Sequence, residues 1–152
     1  MARLSRSGVS VDVPPGWEGD ISGGGFRLQA DGSREPTVLH VASFPLPAVR
    51  GSFGAGAVEL MANQDVFITL FEYGPEHAGT PLFASQGPPR ELLPGDFDRE
   101  ALQHGVPGQS GLQHFFTHRE RAFCLYVVLG SHIDRVDLTN LVNEVVGSIA
   151  IT

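Results

Sequence analysis

The sequence predicts an α+β fold: an antiparallel β-sheet with helices packed on it, ending in a hairpin, a helix and a short strand. Three observations carry the prediction. Apolar residues alternate with polar ones in the first third of the chain. Two apolar runs, Leu112–His118 and Ala122–Gly130, flank a short charged turn at Arg119-Glu120-Arg121. Behind them, Leu138, Leu141, Val142, Val145 and Val146 recur at helical spacing. Period two belongs to half-buried strands and period 3.6 to amphipathic helices, so the elements can be read in order.

Val9, Val11 and Val13 alternate with Ser10 and Asp12 and predict a first strand, which Pro14-Pro15-Gly16 stops. Glu18–Ser22 is a short second strand. Gly23-Gly24-Gly25 is a turn, followed by an alternating segment, 26–30, and a hairpin-type Asp31-Gly32-Ser33. Thr37–Phe44 is the next strand, closed by Pro45 and Pro47, so the opening third reads as an antiparallel meander. Ser52–Met61 is expected to form a short helix, weakened by two glycines. Asp65–Tyr73 is apolar on both faces and suits a central strand.

The segment Gly74–Gly111 is rich in proline and glycine and has no sustained period. A helical turn or two over Phe97–His104, opened by Asp96 or Asp98, is the one element expected in it. A connection this long without regular structure is commonly functional. Ala122–Leu129 is apolar on both faces and belongs in the sheet interior. The last helix is capped by Asp134 or Asp137 and stopped by Gly147, with Thr139, Asn140, Asn143 and Glu144 opposite its apolar stripe. Ile149 and Ile151 add a terminal strand.

With 152 residues the chain fits a single domain, residues 1–152, able to bury an ordinary core. The net charge of −7 repels phosphate backbones and argues against nucleic acid as a partner. The one cysteine, Cys124, forms no internal disulfide. The start Met1-Ala2-Arg3-Leu4-Ser5-Arg6-Ser7 lacks the apolar core of an export signal, and the longest apolar run, Ala122–Leu129, is too short to span a bilayer. A cytoplasmic chain without membrane insertion is therefore expected.

Val11-Asp12-Val13-Pro14-Pro15-Gly16-Trp17, an early strand running into a proline-glycine-tryptophan turn, resembles the opening of PsbP-like domains. The order of elements, down to Gly147-Ser148-Ile149 after the last helix, is similar too. The resemblance implies an antiparallel sheet with helices on it. It also implies a role among accessory, binding or assembly factors, which is fold-level analogy.

No residue pattern identifies a catalytic centre. His114 and His118, at i and i+4 of one strand, stand about 13 Å apart, too far to share a metal ion. Cys124, between Phe123 and Leu125, reads as a core thiol. Gly23-Gly24-Gly25 is followed by a strand and no lysine, unlike a phosphate loop, and Gly54-Ala55-Gly56 lacks the third glycine of a dinucleotide fingerprint. Glu72, Glu76, Asp96, Asp98 and Glu100 fit no calcium loop and read as an acidic surface. No metal or cofactor is expected.

The leading expectation is a non-enzymatic binding or assembly factor that contacts a protein partner through Trp17, Glu76, His77, Phe83 and Phe97. One alternative is a small-molecule binder or enzyme with a pocket between sheet and middle segment, lined by His114, Phe116 and Tyr126. Another is a subunit of a larger assembly paired through an exposed sheet edge. Because Ala122–Leu129 is apolar on both faces, something must cover each side of the sheet. The helix supplies one cover, and the middle segment or a partner supplies the other.

Overall fold

A computed structural model describes residues 1–25 and 35–152. The expected alternating segment 26–30 and the turn at 31–33 lie outside the described residues. The described chain forms two antiparallel sheets and one α-helix, so the α+β class holds, while the single sheet of the expectation becomes two.

The smaller sheet has the order β1-β2-β8, with β1 Ala2–Arg6, β2 Val9–Val13 and β8 Ala150–Ile151. β1 lies ahead of the first strand that the sequence predicts. Ser7 and Gly8 both take positive φ (52° and 77°), as a type I′ hairpin requires, and fold Arg6 back onto Val9. The opening is therefore not one continuous meander, because β2 pairs with β1 and β8 and not with the strand after it. The break is the Pro14-Pro15-Gly16-Trp17 turn. The Trp17 N–H donates to Pro14 O at 3.1 Å, and Gly16 holds φ 81° at the position where a type II turn demands it.

The larger sheet has the order β3-β4-β5-β7-β6. Its strands are β3 Glu18–Ser22, β4 Val38–Ala42, β5 Val66–Tyr73, β6 Ser110–His118 and β7 Arg121–Leu129. β7 lies between β5 and β6 and is buried from Ala122 to Leu129, as its two apolar faces predict. The β6–β7 loop is only Arg119-Glu120, because Arg121 already pairs with His118. Arg119 takes φ 56°, which matches the first position of a type II′ turn.

The two faces of this sheet are covered differently. The helix α1, Arg135–Val146, and the smaller sheet cover one face. Leu138, Val142, Val145 and Val146 pack with Val9, Val11, Leu39, Ile68, Leu125 and Val127. Each such side chain, once buried, contributes about 1.5–3 kcal/mol of transfer free energy. Leu141 departs from the expected stripe: it is 37% exposed, and Thr139 is buried instead, its hydroxyl donating to Arg135 O at 2.5 Å.

Loops cover the other face. Phe44, Ala57 and Val58 pack on Ala42, Phe67, Cys124, Tyr126 and Val128, joined by the partly buried Phe53, Leu102 and Val106. The helix expected over Ser52–Met61 shrinks to a 3-10 turn, Val58–Leu60, with Gly54 and Gly56 both at positive φ. No helix spans Phe97–His104 either. Within that range Asp98 opens a single turn, its carbonyl accepting from the Ala101 N–H at 3.3 Å and its carboxylate from the Glu100 N–H at 2.8 Å, and a 3-10 turn lies earlier, at Pro94–Asp96, where Asp96 accepts from the Leu93 N–H at 2.8 Å.

Candidate protein-docking edge

β6 is an edge strand, so the outward N–H and C=O groups of alternate residues need partners from elsewhere. The middle segment supplies them at the two ends only. Beside Thr117, Gly87 donates to Thr117 O at 2.8 Å and Thr117 donates to Ser85 O at 2.8 Å. At the other end Asp98 and Gly111 exchange two bonds of 2.9 Å. Between them, residues 88–97 leave the edge and cross to the helix side. Asn143 of α1 holds that excursion, donating to Leu92 O at 2.9 Å and accepting from the Leu92 N–H at 2.8 Å.

Since Gly111 and Thr117 face outward, strand alternation makes Gln113 and Phe115 face outward too. Among the described residues no backbone partner reaches the N–H or C=O of either one. Burial follows the same outline: β6 is buried at Ser110–Leu112 and at Phe116–Thr117, with Gln113 exposed and His114 and Phe115 half-buried between them. The open stretch from Gly111 to Thr117 is about 20 Å long at the usual strand rise.

The loop that swings away leaves a cleft of about 520 Å³ beside this stretch. Leu92, Gln113 and His114 line it, together with Glu91, Asp96 and Asp98, and among the described residues no arginine does. Burial lowers the pKa of His114, with Asp96 pulling the other way, so the imidazole is neutral at neutral pH and leaves the field of the carboxylates uncancelled.

The expected contact residues fall into separate places. His77 and Phe83 meet beside Tyr73 and Phe115 in one aromatic group on the loop-covered side, with ring centroids 5.3–5.8 Å apart for Tyr73–Phe83, His77–Phe83 and Phe83–Phe115. Glu76 and His77 are exposed, whereas Phe83 is buried in that group. Phe97 is buried in the opposite layer with Leu92, and Trp17 is half-buried against the same layer beside the smaller sheet. Phe83 and Phe97 therefore anchor the middle segment to the sheet, because an apolar ring in a proline-rich loop gains most by burial.

His114, Phe116 and Tyr126 do not line one cavity. His114 and Phe116 stack at 5.9 Å on the helix side. Tyr126 lies on the loop-covered side, where its hydroxyl accepts from the Gln103 N–H at 2.7 Å. Register separates them: Tyr126 sits opposite Gln113, and His114 opposite Leu125. Sequence reasoning missed Gln113, the residue at the centre of the open edge. Its signal was the polar pair Gln113-His114 interrupting an otherwise apolar strand.

Two polar clusters lie elsewhere. Arg121 makes a forked pair with the buried Glu72, at 2.9 and 3.0 Å. Arg50 bonds Asp20, and its Nε donates to His40 Nδ1 at 2.7 Å, which leaves His40 Nε2–H to donate to Ser52 O at 2.8 Å. The first ties β5 to β7, and the second ties the loop of Arg50 and Ser52 to β3 and β4. Cys124 is a free thiol, and burial pushes it up to about 12. No group of His, Cys, Asp and Glu that could hold a metal ion occurs among the described residues, and none of their helices is long and apolar enough to cross a membrane. No protein-family model, curated protein or solved structure matches the chain.

Proposed function

We propose that this protein is a non-enzymatic binding or assembly factor of the cytoplasm that takes an extended segment of a protein partner onto the open edge of β6. The observation that carries the reading is the interrupted edge, bonded at Gly111 and Thr117 and left without backbone partners at Gln113 and Phe115. A strand edge with free N–H and C=O groups is a template for strand addition, in which main-chain bonds give affinity and side-chain pockets give selectivity. The PsbP-like resemblance belongs to this proposal, since accessory and binding roles are what it implies. The cytoplasmic placement rests on the single unpaired cysteine.

A photo-crosslinking side chain at position 113, set against one at the exposed Asn140 of α1, tests the reading with intact protein in a lysate. Adducts of a defined protein formed at 113 and absent at 140 are expected. Equal labelling at both positions would remove the edge from the account.

A further inference from the structure

The open edge is short and the cleft beside it is lined by carboxylates, which narrows what fits it. The cleft beside Gln113 and His114 is lined by Glu91, Asp96 and Asp98 without an arginine among the described residues. The whole chain carries a net charge of −7, so a second copy would approach against repulsion. We infer, resting on the strand-addition reading above, that the occupant is an extended segment of a different protein carrying lysine or arginine at two adjacent positions, those opposite Gln113 and His114.

Register says how it would sit. An antiparallel segment places one residue opposite Gln113 and another, two positions away, opposite Phe115, each exchanging an N–H and a C=O bond with the strand. The residue between them lies opposite His114 and projects to the helix side, where Asp96 stands near the imidazole. A basic side chain there meets Asp96 across a neutral histidine. Asp98 pairs with Gly111, an odd-numbered position of β6, so its side chain belongs to the face that Gln113 and Phe115 share. A basic residue opposite Gln113 projects to that face and reaches along it towards Asp98. Positions at the ends of the segment gain nothing, because Thr117 and Gly111 are already bonded within the chain.

The test uses the full chain and two synthetic peptides of about five residues, one with an adjacent lysine pair among valines and one with an adjacent glutamate pair among valines, a length that fits between the bonded ends. Binding is followed by fluorescence anisotropy. The lysine peptide is expected to bind, and the glutamate peptide is not. The E91Q/D96N/D98N variant should weaken the lysine peptide by about tenfold or more, and raised salt should weaken it in the wild type, as exposed charge pairs do. Methylating alternate backbone nitrogens of the lysine peptide should abolish binding in one phase of methylation and spare it in the other. That readout leaves the protein untouched, so a misfolded variant cannot imitate it.

If both peptides bind alike, with methylation-phase dependence, the basic-segment inference fails and strand addition stands. If the lysine peptide binds without methylation-phase dependence, or if neither peptide binds, strand addition fails as well.

Discussion

β6 and β7 are neighbours of equal length that form one hairpin, yet they live in different environments. β7 is bonded on both sides and buried along both faces. β6 is bonded along one side, and on the other only at its ends. The contrast separates two uses of a strand. Where every backbone group is paired and every side chain packed, sequence variation costs stability. Where two residues in the middle of an edge are left free, variation costs little folding energy, and the strand is available for recognition.

The largest expected effect breaks the paired strand. Phe123→Ala in β7 removes a fully buried ring stacked on Phe116 at 5.5 Å and should cost about 3–5 kcal/mol by urea unfolding, while Gln113→Ala should stay within about 0.5 kcal/mol. Proline sharpens the contrast inside β6 itself. The His114 N–H faces β7, so His114→Pro removes a ladder bond and should cost about 2–3 kcal/mol. The Gln113 N–H faces outward, and Gln113→Pro should cost less than about 1 kcal/mol, since proline is tolerated at such edge positions.

A smaller effect comes from the loop layer. Tyr126→Phe leaves the Gln103 N–H without its acceptor and should cost about 1 kcal/mol, read from the shift of the urea midpoint. The smallest is an acid effect at His40. Burial lowers its pKa below the ordinary histidine value of 6.5, with the Ser52 carbonyl opposing and the Arg50 guanidinium adding to the shift. A base whose folded pKa is lowered contributes stability that is full above 6.5 and is lost as pH falls below that value. The urea midpoint should therefore drop between pH 7 and 5 by more in the wild type than in His40→Gln.

The paired part of the molecule was the legible part. Val9–Val13, Asp65–Tyr73, the hairpin and the helix carry their periods in apolar residues, because each buries a continuous face against regular structure. β1 was missed: its burial is slight, and only the Ser7-Gly8 turn betrays it. The covers made of loops have no period to read. Phe53, Phe83 and Phe97 bury single rings from irregular backbone, and their partners are fixed by tertiary bonds such as Gln109 Nε2 donating to Val58 O at 2.8 Å. Sequence alone leaves the second sheet face to be covered by the middle segment or by a partner. The middle loops cover it, and the openness moves from a face of the sheet to its edge. Locating that edge needed the strand order and the points where residues 85–87 and 98 touch β6, and local sequence encodes neither.

Residue-resolved amide hydrogen exchange along β6 in the free protein tests the central claim most directly. The account predicts slow exchange at Leu112, His114 and Phe116, whose N–H groups face β7, slow exchange at Gly111 and Thr117, and fast exchange at Gln113 and Phe115 alone. Protection of Gln113 and Phe115 equal to that of His114 would mean the edge is already covered, and would contradict the account.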